Sequence, residues 1–402
     1  MTEKLYEKNS YLRECKAVVT ECITEDEGIS IKLDKTIFFP EEGGQYSDTG
    51  LLIAGDKKVR ILKGELTCSA TEGDPDIRYL VDTVIEAGTE VKCILDWDIR
   101  FSRMQNHSGE HIVSGLIHNM YGYNNIGFHL SDDEPVTLMC DGKLTEDQVR
   151  SLEIKANEAI YADLPIICSY PSKEELKELS YRSKIEVAGQ VRLITIGDPD
   201  APLDVCACCA PHVERSGAIG LIKIISFSGI KEGTQLQILC GKRALEFTLR
   251  NIDSLDALAR SFSTHRDNVP GLVEGLRSEN QELKRRLAGL SERSILEEIQ
   301  NRASDEDFNG CVFTDMDLSP ISMKNIYNEM ISVKNGYVGI FAGTDDEGYR
   351  YYAGGNGLDA RKLASEMREK LGAKGGGAPE MIQGKVSASK SSIEDFWGSL
   401  IF

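Results

Sequence analysis

The chain has 402 residues, 41% hydrophobic and 28% charged, the balance of a globular protein rather than a disordered or membrane-spanning one. A net charge of −19 argues against a polyanion partner for the chain as a whole, yet residues 361–390 hold seven basic side chains against three acidic, so a basic C-terminal face is expected. No stretch approaches about 20 consecutive apolar residues, no signal-peptide core opens the chain, and the eleven cysteines are mostly single, which points to a reducing, cytoplasmic setting without membrane contact.

At this length roughly two to four domains are expected. Residues 1–95 alternate in short runs such as CKAVVTECI, ISIKLDKTIFF and VKCILDW, broken by Gly/Asp-rich turns, which predicts a small β-barrel. The period turns helical over residues 98–121, with Ile112, Val113, Leu116, Ile117 and Met120 on the buried side. A second helix over residues 144–161 opens with Thr145 as N-cap. Strand-like runs return in VRLITIG, GLIKIISF and TQLQILCG, so residues 96–245 read as an α+β unit. A helical segment follows over residues 246–306, where Val273, Leu276, Asn280, Leu283, Leu287 and Leu290 occupy successive a and d positions. Two heptads suit a short coiled-coil dimer seam or an intramolecular hairpin. Residues 307–402 show strand, helix and a glycine run, a small α/β module. The expected class is therefore α+β, in four segments.

Two histidines four residues apart, His107 and His111, head the first helix, and 97 residues further on Cys208 and His212 repeat that spacing. Residues i and i+4 share a helix face, roughly 5–6 Å apart at Cβ, so one pair can close on a single ion. An imidazole/imidazole/thiolate/imidazole set suits tetrahedral Zn2+. Three of the six histidines fall in these pairs, although Cys206 and Cys209 compete with Cys208 as the thiol donor. The string H-S-G-E-H also fits the inverted zincin motif, in which Glu110 is a general base, but that reading leaves the second pair idle. His118 lies two turns, or about 10 Å, beyond His111 and reads as a packing or supporting residue. His129 reads either as a pocket donor or as a strand-end surface residue. In TIFFPEEGGQYSDTG, residues 36–50, Pro40 and the pair Gly43-Gly44 make a tight turn that lets backbone approach something closely, with Gln45, Ser47 and Asp48 at its exit.

Taken in order, Thr36-x-Phe-Phe-Pro-Glu-Glu-Gly-Gly-Gln45-x-x-Asp48-x-Gly50, Asn106-His107-Ser-Gly-Glu-His111 and Cys208-x-x-x-His212-Val-Glu-Arg-Ser-Gly217-x-Ile-Gly220 resemble the alanyl-tRNA editing family, the freestanding AlaX proteins and the editing half of alanyl-tRNA synthetase. The trailing GGGAPEMIQG resembles the C-terminal domain of that synthetase and of long AlaX proteins. The resemblance covers nearly the whole chain and begins at the barrel. It implies a β-barrel, a zinc-binding editing domain, a helical linker and a C-terminal module. The implied activity is trans-editing deacylation of serine, and of glycine, mischarged onto alanine tRNA, without aminoacylation. It also implies zinc held by His107, His111, Cys208 and His212, Thr36 reading the amino-acid side chain and Gln45 holding substrate or water. Lys374, Gly375, Gly376, Gly377 and Lys385 are the implied tRNA contact, against the plainer reading of a buried turn, and a homodimer through the heptads and C-terminal module is a further implied partner. The family usually has Gly-Gly-Thr between the Cys and His ligands, where this chain has Cys209-Ala210-Pro211, so main-chain contacts there are altered.

Overall fold

The computed structural model describes residues 1–25, 28–67, 76–183, 190–301 and 309–401. Two compact units form, Met1–Ser254 and Leu255–Phe402. The boundary expected at residues 306–307 lies outside the described residues.

In the first unit, strands β1 (Glu14–Glu25), β2 (Gly28–Leu33), β3 (Gly50–Ala54), β4 (Lys57–Thr67), β5 (Asp76–Val81) and β6 (Glu90–Leu95) close a barrel in the order β1-β2-β5-β4-β3-β6. Side chains on a strand alternate faces, so Val19, Ile31, Leu33, Leu52, Val59, Ile61 and Tyr79 fill its interior. The loop carrying residues 37–47 leads into β3 and is held against helix α1 (Trp97–Tyr121) by its arginines. Gly122, in the left-handed conformation at φ 72°, ends that helix.

Beyond α1 come β7 (Asn125–His129), β8 (Val136–Cys140), α2 (Glu146–Tyr161), β9 (Ile166–Ser169), β10 (Leu193–Asp198), β11 (Ala201–Ala207), β12 (Ile222–Ile230) and β13 (Gly233–Cys240). Thr145 caps α2 with a full capping box to Gln148. The strands form two antiparallel sheets, β12-β13-β8-β7 and β9-β10-β11. Ile112, Val113 and Ile117 of α1 pack there with Leu138, Leu152, Ala156, Leu236 and Ile238 as a second core. Helix α3 (Gly241–Ser261) follows.

In the second unit, helix α4 (Val269–Asn301) exposes the heptad stripe: Leu283, Leu287 and Leu290 are 55%, 50% and 62% accessible. Only its C-terminal end, through Ile295 and Ile299, joins a core. Strands β14 (Gly310–Thr314), β15 (Tyr337–Thr344), β16 (Gly348–Gly355), β17 (Lys374–Ala378) and β18 (Met381–Val386) form one sheet in the order β14-β15-β16-β18-β17. Helices α5 (Pro320–Val333), α6 (Ala360–Leu371) and α7 (Lys390–Gly398) supply the apolar residues that cover it, with Trp397 donating to the Tyr337 carbonyl at 3.2 Å. Among the described residues no helix is long and apolar enough to cross a membrane.

Candidate metal centre and active site

Helix α1 carries a functional stripe. Arg100, Arg103, His107 and His111 recur at i, i+3, i+7 and i+11 and so lie along one face, all buried. The two arginines fasten the glycine turn. Arg100 Nε donates to Asp48 at 2.8 Å, and its guanidinium also donates to the Ile37 carbonyl at 2.7 Å. Asp48 in turn accepts from the Phe39 amide at 2.7 Å. Arg103 donates to the Ser47 carbonyl at 2.6 Å and to Asp132 at 2.9 Å. These bonds hold Gln45 over the next turn of the helix, where its Oε1 lies 2.9 Å from His107 Nδ1.

The two donor pairs predicted from spacing meet in space. Ligand atoms of His107, His111, Cys208 and His212 all lie within 4.8 Å of one another, an arrangement that can hold a metal ion. Cys208 Sγ is 3.3 Å from His212 Nε2 and 3.6 Å from His107 Nε2. Bonds of about 2.3 Å to sulfur and about 2.0 Å to nitrogen at tetrahedral angles separate donors by roughly 3.5 Å, so the donor set fits zinc.

Each imidazole is oriented by a different acceptor at Nδ1. His107 meets Gln45, His212 meets Ser108 Oγ at 3.0 Å, and His111 meets Asp204 at 3.3 Å. An Nδ1–H held in this way leaves Nε2 as the lone-pair donor, which is how metal-binding histidines are commonly fixed. Asp204 is itself clamped by Arg182 through bonds of 2.7 and 2.8 Å. A Cβ on Gly115 would stand 2.8 Å from that of Asp204, so glycine there is what lets β11 come close enough to reach His111. We predict that Asp204→Asn lowers zinc affinity by about 10–100-fold, as loss of such a support does elsewhere. Competition with a chelator measures it, and unchanged affinity would remove Asp204 from the site.

The three-thiol ambiguity is also narrowed. Burial opposes ionisation of Cys208, but the facing His107 holds its thiol well below the ordinary range. Burial pushes the Cys209 thiol up instead, helped by the Cys208 and Glu42 charges. Cys206 groups with His111 and Asp204. Because Arg182 occupies both Asp204 oxygens, that group serves better as a support for His111 than as a second ion site. Burial lowers His212 to about 3, so it stands neutral and able to donate its lone pair. Arg192 donates to the Cys208 and Ala210 carbonyls at 2.9 and 2.8 Å, bracing the loop that Pro211 deprives of one N–H.

Thr36 is fully buried at the end of a short strand, Lys35–Thr36, that pairs with Glu3–Lys4 outside the barrel sheet. Its Oγ1 accepts from the Phe38 amide at 3.1 Å and lies 2.8 Å from Tyr79 Oη, which donates to the Phe38 carbonyl at 2.7 Å. Since the Tyr79 hydrogen is spent on that carbonyl, the Thr36 hydrogen goes to Tyr79. Gln45 also has no access to solvent, and its Nε2 finds no partner among the described atoms. One expectation is corrected, and of the two readings of His129 the strand-end surface residue holds. His118 is exposed, because the cover over its face of α1 stops at Ser114 and Gly115, so it does not pack as expected. His129 is exposed at the end of β7 with its ring against Tyr46, since alternation sends Phe128 to His107 and His129 the other way. Glu110 is held by Asn125 and is absent from the converging set, which leaves the zincin reading without a base beside the cluster. Lys374, Gly375, Gly376, Gly377 and Lys385 lie on the paired strands β17 and β18 in the other unit, and the glycines are exposed rather than packed in a buried turn.

Sequence reasoning misses Arg100, Arg103, Arg182, Arg192, Ser108 and Asp204. The arginines on α1 are legible as charged residues on the helix's apolar face; the others carry no local signal.

Residues 191–236 match the domain family described as the threonyl and alanyl tRNA synthetase second additional domain. The chain is 26% identical over 98% of its length to the alanyl-tRNA editing protein AlaX-L of Pyrococcus horikoshii, of which it covers 97%. It is 28% identical over 95% of its length to the alanyl-tRNA editing protein Aarsd1 of Danio rerio, covering 93% of it. Along nearly its whole length the chain is similar to alanyl-tRNA editing proteins. It also matches the alanine–tRNA ligase of Methanoregula boonei at 27% identity over 95% of its length, but spans only 41% of that ligase. The similarity to editing proteins therefore extends over both units, including the exposed glycine strand of the second.

Proposed function

We propose that this protein hydrolyses the ester joining serine, and secondarily glycine, to the 3′ end of alanine tRNA. The observation that carries this reading is the convergence of His107, His111, Cys208 and His212 beneath a glycine turn that aims Gln45 at them. A site built for alanine cannot strongly exclude serine, because rejecting an added hydroxyl yields only about 10²-fold. A second site that hydrogen-bonds the hydroxyl reverses the preference, since alanine would leave a buried partner unpaired. A zinc ion held by the four donors would supply positive charge to the ester, and with all four bound its shell is closed, which favours positioning over hydroxide supply. Gln45 Nε2 is the donor available for the ester carbonyl, where charge develops during attack. With its hydrogen committed to Tyr79, Thr36 offers the serine hydroxyl a lone pair, so it reads a donor.

Deacylation by purified protein of seryl, glycyl and alanyl esters of alanine tRNA is the test, with Thr36→Val as a second arm. Serine should be released fastest. Losing one buried hydrogen bond, about 0.5–1.5 kcal/mol, should narrow the serine-to-alanine ratio several-fold in the variant. No turnover of any ester refutes the activity and leaves zinc a structural role; an unchanged ratio removes Thr36 from recognition. The matched domain family is described for threonyl as well as alanyl synthetases, so seryl-tRNA of the threonine system belongs in the same assay as the competing substrate.

We also read the chain as barrel, editing domain, helical linker and tRNA-binding module, with the exposed stripe of α4 as a dimer seam. Lys374 and Lys385 stand opposite one another on β17 and β18. Replacing both by alanine should weaken tRNA binding and lower the log–log salt slope by about 0.7–0.9 for each phosphate that is no longer neutralised. Binding titrations at several salt concentrations decide it, and an unchanged slope would exclude phosphate binding there.

A further inference from the structure

The turn that carries Gln45 also carries a carboxylate without a role in the scheme above. Glu42 and Gln45 face each other across it through two backbone bonds of 3.1 and 3.2 Å. Gly43 and Gly44, at φ 61° and 81°, give the turn its left-handed path, and a Cβ on Gly43 would lie 3.1 Å from the Cys209 sulfur. The turn thus rests directly on the ligand loop. Glu42 is half-buried, and its carboxylate acts on the Cys209 thiol and feels the charge of Cys208. Lys4 acts on it through space but is itself within 3.7 Å of Glu7.

We propose that Glu42 binds the α-ammonium group of the aminoacyl ester and makes the site selective for esters with a free amine. The assignment rests on the deacylase reading above. An aminoacyl ester carries its ammonium one carbon from its carbonyl. The turn presents, three residues apart, an acceptor for the first group and, in the unpartnered Gln45 Nε2, a buried donor for the second. Electrostatics require such an acceptor. A dication with one thiolate and three neutral imidazoles keeps a single positive charge, which repels an ammonium in a water-poor site unless a carboxylate offsets it. Burial also holds the Glu42 carboxyl above its ordinary range.

The experiment compares wild type and Glu42→Gln, a near-isosteric change, on two non-hydrolysable ligands, 3′-deoxy-3′-(serylamino)adenosine and its N-acetyl derivative, by calorimetry. Seryl-tRNA and N-acetyl-seryl-tRNA serve as matching substrates. Wild type should favour the free amine by roughly tenfold or more, the scale of a charge-assisted hydrogen bond. Glu42→Gln should erase that preference while leaving affinity for the acetylated ligand within about twofold and zinc content unchanged. A wild type that deacylates seryl-tRNA but binds both ligands alike overturns the Glu42 assignment alone. So does a variant that loses affinity for both equally, the mark of a disturbed turn. A wild type that deacylates nothing overturns the parent reading, and this assignment with it.

Discussion

Cys208→Ala should strip the protein of tightly bound zinc and abolish deacylation, whereas Cys206→Ala and Cys209→Ala should each keep one zinc per chain. Three thiols lie within four positions, but only the Cys208 sulfur stands 3.3 and 3.6 Å from the Nε2 atoms of His212 and His107. His107 also draws its thiol well below the ordinary range, and the thiolate is the form that ligates. Cys209 instead packs toward the barrel core and Glu42, where burial keeps it protonated. His111→Ala should behave like Cys208→Ala, since it removes a donor from the same set. Metal content by elemental analysis, after dialysis against a weak chelator, gives the answer. Full zinc in Cys208→Ala together with loss in Cys209→Ala would mean that the loop presents the other thiol when metal binds.

The second large effect is on stability. Asp48→Ala should destabilise the first unit by about 3–5 kcal/mol, because removing one partner of a buried ion pair strands the other charge. Arg100 and Asp48 are 0% and 1% accessible, and the carboxylate also accepts from the Phe39 amide. Losing it leaves a cation without its counter-charge and an amide hydrogen without its acceptor inside the protein. The chain forms two units, so one unfolding curve would mix two transitions. The two tryptophans separate them: Trp97 lies in the first unit and Trp397 in the second. Urea unfolding followed by Trp97 fluorescence in a Trp397→Phe background should shift strongly for Asp48→Ala. A loss below about 1 kcal/mol would show that water or a rearranged Arg100 compensates. Because the same pair anchors the glycine turn, zinc affinity should fall as well, through Gln45 and His107.

What the sequence determined by itself was whatever repeats at short range. Alternation at period two sorted Val59 and Ile61 to the barrel interior, and the 3.6-residue period placed His107 and His111 on one face of α1. The same spacing in the Cys208–His212 pair announced a second half-site, because a metal shell constrains residue type and spacing together. The tertiary structure decided everything that depends on neighbours remote in sequence. Gln45 orients a histidine 62 positions away, Asp204 one 93 positions away, and the Thr36 hydroxyl is claimed by Tyr79, 43 positions on. No local period encodes such pairs, since they arise when a barrel loop, a helix and a hairpin are brought against one another. The same reason separates His118 from His111. Both lie on one stripe of α1, but the cover over that stripe stops before His118, and that cover is a property of the assembled unit rather than of the helix.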